Sequence, residues 1–370
     1  MTEQRLGRAR ARLRALAVVD PTAWLLAVRD LQWRRRRFAV AVVSASLVLA
    51  LTLLQSGVSA SFDNEVRRMV GSFGADAWVV PAGSVGPFTA PTTFQASWVA
   101  AVRRLPGVRA ADPVAVASTT TSTPHVRPLY VTGVVPGGLG FQAAAAGQLG
   151  GDRAIVDAKL GLHPGQRVVL NGRPFTVSGL THGRTVFAGW ATGIVSLADL
   201  QRTALDGLPL ATAILTRGVP SHVPPRFSLL TNAQVRTDLL RPVGSAKQTI
   251  SLIRSLLWVV AGAIIGAMVY LSALERMSQF AVLKAVGVRT RSLVGSLLVE
   301  AIVAALAAAA LAVGLERLIR PAVALSVEVP WTSYVLLPLV AIAIGVLASL
   351  AALRKAIAVD PALAFAAAAR

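Results

Sequence analysis

The sequence predicts a membrane protein in which four transmembrane α-helices carry a large α+β extracytoplasmic domain, inserted between helices 1 and 2. Three observations predict it. Residues 38–62 contain no charged side chain. Residues 63–247 are rich in Gly, Pro, Thr and Ser and hold no long apolar run. Three further apolar runs then follow within residues 248–353.

Composition agrees. Of 370 residues, 54% are hydrophobic, and the mean hydropathy is +0.62, which belongs to membrane chains rather than soluble ones. There is no cysteine, which excludes disulfides, thiolate metal sites and Cys nucleophiles. The net charge is +20, and only four of the 37 basic residues are Lys. The arginines are spread along the chain and flank apolar runs. Membrane topology explains them, and no nucleic-acid partner is expected.

Residues 1–37 form a cytoplasmic basic arm. Trp24, Leu25, Val28 and Leu31 share one helical face after Pro21, which reads as an interfacial helix lying on the membrane. No secretory signal is expected, because the apolar run that follows is too long for a signal core. Residues 38–62 are transmembrane helix 1, since about 20 apolar residues cross a bilayer. Arg34 to Arg37 precede it and place the N-terminus in the cytoplasm.

Residues 63–247 form the outer domain. Strands are expected at 77–80, 114–118, 129–135, 154–156, 167–170 and 174–180. Asn171-Gly172 between the last two marks a hairpin, because both residues tolerate positive φ. Helices are expected at 62–71, 93–105 and 197–204. Phe88, Phe94 and Phe141 fall in or beside loop-like sequence and are candidate contacts for a substrate or partner. Asp152 and Asp157 lie around an expected strand, and a solvated face explains them better than a catalytic pair.

Transmembrane helix 2 covers 248–274, helix 3 covers 292–315 and helix 4 covers 331–353, with a short outer loop at 316–330 and a cytoplasmic tail at 354–370. Gly262 and Gly266 are a small-xxx-small pair that lets helices approach closely, within the chain or between two copies. Glu300 is an ionisable residue deep in helix 3. It reads either as a functional intramembrane carboxylate or as one that locks the bundle by hydrogen bonding.

Between helices 2 and 3, residues 275–291 are too polar for lipid and too regular for a random loop. Phe280, Leu283 and Val286 recur at helical spacing among Glu275, Arg276, Gln279, Lys284 and Arg289, and Gly287 sits where a C-cap glycine belongs. The stretch predicts an amphipathic helix on the cytoplasmic face.

Enzyme machinery is absent. None of the four lysines follows a glycine, so there is no Gly-Lys-Ser/Thr phosphate loop. His125, His163, His182 and His222 lack ligand spacing. No Gly-x-Ser-x-Gly elbow occurs.

The run ERMSQFAVLKAVGVRTRSLVGSLLVEA resembles the signature of FtsX/MacB-type permeases. Glu275, Arg276, Phe280, Leu283, Lys284, Ala285, Gly287, Glu300 and Ala301 match it, and Gln279 replaces a usual Glu. Asp360, Pro361 and Ala362 resemble the family's ending, with Leu363 in place of an acid. Gly74-Ala75-Asp76, Leu105-Pro106-Gly107-Val108 and Phe175-Thr176-Val177-Ser178-Gly179 are similar to phrases of the MacB-like outer domain and of the related DevC permeases.

The resemblance implies the permease subunit of a mechanotransmitting ABC transporter in a bacterial inner membrane, multi-pass with both termini cytoplasmic. It implies two cytoplasmic ABC ATPase subunits and a second permease chain forming a homodimer. ATP and Mg would be held by the ATPase, leaving this chain without a cofactor and non-catalytic. Residues 275–291 become the coupling helix. Two functions stay open: export or extraction of a hydrophobic or amphiphilic compound, lipid or peptide; or transmission of a signal to an extracytoplasmic protein such as a cell-wall hydrolase.

Overall fold

The computed structural model describes residues 35–122, 126–141, 147–187, 189–275, 282, 290–322 and 327–357. Ser59–Thr249 forms one compact unit, and the helices outside it form another.

Helix α1 (Arg35–Gly71) is one unbroken helix of 37 residues. The sequence divides it into a span and a separate helical patch. The structure joins them, because nothing between Phe62 and Gly71 breaks a helix. The second unit then continues with α5 (Gly244–Glu275), α6 (Thr290–Ile319) and α7 (Trp331–Ile357). Three helical stretches among the described residues are long and apolar enough to cross a membrane: Phe38–Gly71, Asn232–Glu275 and Gly295–Ala322. Trp331–Ala343 is a shorter apolar stretch.

These helices meet through small residues. Ala45 and Ala50 of α1, Ala261 of α5, Ala305, Ala308 and Ala312 of α6, and Ala341 of α7 are buried together with Leu49, Leu53 and Leu337. Lipid tails are as apolar as these side chains, so close backbone approach rather than water exclusion holds such a bundle together. Val40, Leu47, Leu256 and Val259 point outward, as expected of side chains that lipid covers. Helix α6 runs four residues beyond the span expected at 292–315, which brings Glu316 into the helix instead of the outer loop.

The outer unit is α+β. Its strands are β1 (Ala77–Pro81), β2 (Phe94–Gln95), β3 (Ala110–Thr121), β4 (Arg127–Val134), β5 (Arg153–Asp157), β6 (Arg167–Leu170), β7 (Arg173–Thr181), β8 (Thr185–Val186), β9 (Trp190–Ser196), β10 (Leu210–Ala211), β11 (Ala213–Arg217) and β12 (Phe227–Thr231). Its helices after α1 are α2 (Val99–Arg103), α3 (Leu197–Ala204) and α4 (Asn232–Leu240).

The main sheet runs β12-β1-β11-β3-β4-β9-β5-β7-β6, with β8 on β9. The β4–β9 and β5–β7 pairs are parallel. Thr121 of β3 also pairs with Leu170 of β6, so β3-β4-β9-β5-β7-β6 closes on itself. Closure removes the edges of those strands. Leu129, Val131, Val156, Val168, Phe175 and Val177 are buried in this closed part, under Leu197 and Leu200 of α3. The other half packs around Trp78, Phe73, Phe88 and Leu215, with Val66, Met69 and Val70 from the end of α1.

The hairpin expected at Asn171-Gly172 is present. Both residues have positive φ, +47° and +77°, and Leu170 pairs with Arg173. The helix expected at 93–105 is much shorter. Phe94 pairs with Ala211 across β2 and β10, and α2 starts only at Val99. β9, β11, β12 and α4 were not legible as elements. The burial of β11 is continuous across its first four residues rather than alternating, and β9 contains Gly193.

Candidate functional site

Of the coupling-helix residues, Arg276, Gln279, Phe280, Leu283, Lys284, Ala285, Val286, Gly287 and Arg289 lie outside the described residues. Glu275 is the last residue of α5, and α6 starts at Thr290, so the stretch connects two long apolar helices. Val282 is helical and exposed.

Glu300 is placed on α6 against α5. It is 6% exposed, and Ser272 Oγ donates to its Oε2 at 3.2 Å. Val269, Ala273, Leu297 and Ala301 surround the contact. A carboxylate in apolar surroundings needs such donors, because an unpaired charge there is costly. Gly262 and Gly266 are half-buried, beside the fully inward positions Ala261 and Ile265.

A second polar cluster was missed by the sequence reading. Glu316 is 0% exposed and accepts from Arg320 Nε at 2.8 Å and from Tyr334 Oη at 3.0 Å, while Arg320 Nη2 donates to Tyr334 Oη at 2.7 Å. The signal available in the sequence was the Glu316–Arg320 spacing, which is a helical ion pair.

In the outer unit, the buried Asp238 of α4 accepts the Phe88 amide at 2.9 Å and binds the Thr89 hydroxyl. Tyr130 Oη donates to the Phe88 carbonyl at 2.8 Å, and burial first, then the Asp238 charge, raises the phenol well above its ordinary value. Phe88 and Phe94 are therefore core residues, not exposed contacts, and Phe141 packs half-buried against the same core. Asp157 is likewise fully buried rather than solvated. It accepts from the amides of Lys159 and Arg184 and from Thr181 Oγ1. Asp152 is exposed and pairs with Arg202.

Arg184 is the unusual charge of this domain. Its guanidinium lies 5.1 Å from the centre of the Phe73 ring, and its Nε and Nη2 are buried with no hydrogen-bond partner. Burial lowers it to about 10, opposed by the nearby Asp157. Glu65 of α1 accepts the Gly189 amide at 2.9 Å. No group of three or more His, Cys, Asp or Glu residues is arranged to hold a metal among the described residues.

The FtsX-like permease C-terminal family model matches residues 251–361, which include the connection between α5 and α6. The chain is 39% identical over 342 residues to an uncharacterized ABC transporter permease of Mycobacterium bovis, covering 92% of this chain and 98% of the relative. A second ABC transporter permease, from Mycobacterium tuberculosis, is 36% identical over 345 residues with the same coverage. Among solved structures, the periplasmic region of MacB from Actinobacillus actinomycetemcomitans is similar at 11% identity, covering 47% of this chain and 96% of that one with a TM-score of 0.31. The chain belongs to the FtsX-like ABC transporter permeases. It is a membrane protein of that family.

Proposed function

We propose that this chain is the transmembrane subunit of an ABC transporter, moved by a separate cytoplasmic ATPase through the connection at 275–291. Four helices span the membrane, α1, α5, α6 and α7, with both termini in the cytoplasm. Two copies of the chain and two ATPase subunits make the working unit. ATP and Mg sit on the ATPase, and this chain does no chemistry of its own. It drives export or extraction of a hydrophobic or amphiphilic compound, lipid or peptide.

The observation that carries this reading is α1. It is one helix of 37 residues, uncharged from Phe38 to Phe62, whose last turns supply Val66, Met69 and Val70 to the core of the outer domain. No proline interrupts it, so its backbone hydrogen bonds run on from the apolar stretch into those last turns. The missing phosphate loop makes a separate motor necessary for active transport.

The test is Phe280→Asp and Leu283→Asp in the full chain, co-expressed with its partner ATPase. A charge on an apolar stripe that enters a partner's groove is costly. Membrane insertion should be unchanged, while stimulation of the ATPase by the permease falls at least about tenfold, the size of a lost anchor residue. Normal co-purification and normal stimulation in both variants would reject the coupling role of this stretch.

A further inference from the structure

We infer that Arg153, Thr176 and Arg167 form a binding site for a phosphate group, free or as a monoester, on the outward face of the closed part of the sheet. The inference goes beyond the transporter reading. It uses only contacts within the outer unit, so it stands or falls separately.

Charge in this unit is unevenly placed. Residues 63–247 hold 17 Lys and Arg against nine Asp and Glu. Glu65, Asp157, Asp199 and Asp238 are buried. Asp63, Asp76, Asp112 and Asp152 each pair with a Lys or an Arg. Asp206 is the one exposed acid without an ion pair among the described residues. The acids are therefore enclosed or neutralised, and the free surface is more cationic than the net charge alone implies. Such a surface concentrates anions.

Strand register gathers part of that charge in one place. β7 lies between β5 and β6, and its Thr176 pairs with Arg153 on one side and Arg167 on the other. Residues directly opposite on neighbouring strands share a face. All three are exposed, while Phe175 and Val177 point into the core on the other face. Neighbouring strands lie about 4.8 Å apart, so the two arginines stand roughly 10 Å apart at Cα with the hydroxyl between them. The ladder shifts just after this row. Ala154 pairs with Val177 but Ile155 with Gly179, which leaves Ser178 as an extra residue on β7. Bulges of this kind re-aim the side chains beside them. Ser178 Oγ donates to the Gln148 carbonyl at 2.6 Å, and the Gln148 side chain accepts from Arg153 Nη1.

Neither arginine has a carboxylate partner among the described residues. Gln148 is a neutral acceptor and leaves the charge of Arg153 uncompensated. The adjacent Asp152 is held by Arg202 of α3 at 3.4 Å. Like charges gathered on one face of a sheet repel, and an anion between them removes the repulsion. A tetrahedral anion suits the spacing. Each guanidinium presents a planar fork of donors to the oxygens of one anion. A carboxylate has only two oxygens, which one fork saturates. A phosphate offers oxygens on several sides, so both forks and the Thr176 hydroxyl can share it.

The test uses the full chain in a non-ionic detergent and reads broadening of the ligand's phosphorus resonance. The ligands are inorganic phosphate and glycerol 3-phosphate, and the wild type should broaden both saturably. Arg153→Glu with Arg167→Glu should weaken binding at least about tenfold, since charge-assisted forks are the main contacts. Thr176→Val changes no charge and should weaken it about threefold, the loss of one hydrogen bond. Arg104→Glu with Arg217→Glu makes the same charge change at exposed positions elsewhere on the unit, and should weaken it less than about twofold because distant exposed charges are screened. Sulfate should displace the ligand, whereas acetate should need at least about tenfold more, because it lacks the third oxygen. Tighter binding of glycerol 3-phosphate assigns the site to a phosphate monoester such as a lipid headgroup, and tighter binding of inorganic phosphate assigns it to the free ion. Equal losses from the two arginine pairs, no loss in Thr176→Val, or acetate competing as well as sulfate overturns the site. So does a wild type that broadens neither ligand saturably.

Discussion

Ser272 Oγ on α5 donates to Glu300 Oε2 on α6 across 3.2 Å, among Val269, Ala273, Leu297 and Ala301. A hydroxyl–carboxyl bond between two apolar helices fixes their rotation and height relative to each other. The sequence left two readings of Glu300, an active intramembrane carboxylate or a packing lock. The serine bond favours the lock. Glu300→Gln retains an oxygen that accepts from Ser272 and should melt within about 1 kcal/mol of wild type, whereas Glu300→Leu should lose about 2 kcal/mol by stranding the Ser272 donor and misfitting the contact. Thermal unfolding in detergent separates them. Loss of transport in Glu300→Gln with unchanged stability would instead revive the active reading.

Gly86 is needed because Asp238 occupies the space in front of it. A Cβ built there would stand 2.1 Å from Asp238 Cγ. Gly86→Ala should push Asp238 off the Phe88 amide and the Thr89 hydroxyl, at a cost of about 2–4 kcal/mol. The two positions should be coupled. In an Asp238→Ala background, where the obstacle is gone, Gly86→Ala should cost less than about 1 kcal/mol. Equal penalties in both backgrounds would mean that the steric relationship does not hold in solution.

The residues explain which features could be read in advance. Long apolar helices and turns are legible because their signals are local: the uncharged run at 38–62, and the Asn171-Gly172 pair with positive φ at both residues. α4 has a local signal as well, the capping box of Thr231 and Gln234. Burial of single polar residues was not legible. Asp157 is hidden because Thr181 and Arg184, far along the chain, fold over it. Phe88 looked like a loop residue open to a ligand, and its loop is indeed irregular, but Phe73, Trp78 and Tyr130 enclose it. Such enclosure depends on strand order, and no short window of sequence carries it.

Arg184 gives a pH signature. Its guanidinium is lowered from its ordinary value to about 10, chiefly by burial, so the unfolded chain binds its proton more tightly than the folded one. The folded state is penalised below about pH 10, and the penalty fades as pH rises above it. At neutral pH it is on the order of 3 kcal/mol. Arg184→Met, which keeps a flexible side chain over Phe73 without the charge, should therefore match or exceed wild-type stability at pH 7. The gap between the two should shift in favour of wild type by about 1 kcal/mol between pH 9 and 11. A gap independent of pH, measured by denaturant unfolding at both values, would show that Arg184 is not desolvated in the folded protein.

At the far end of α6, the cost of breaking the Glu316 cluster should depend on which partner is removed. Glu316 is wholly buried, whereas Arg320 is partly open to its surroundings. Removing Arg320 leaves a buried carboxylate with only the Tyr334 hydroxyl of this cluster. A fully buried broken pair costs about 3–5 kcal/mol, and the exposure of Arg320 reduces this to roughly 2 for Arg320→Ala. Tyr334→Phe removes one donor and keeps the charge pair, so it should cost about 1 kcal/mol. Replacing the acid itself, Glu316→Gln, removes the buried charge and keeps an acceptor for both partners, so it should be milder than Arg320→Ala. The order Arg320→Ala, then Tyr334→Phe and Glu316→Gln, is readable from thermal unfolding of the full chain in detergent. If Glu316→Gln proves the most damaging of the three, the carboxylate's charge has a use that closing the end of the α6–α7 pair does not explain.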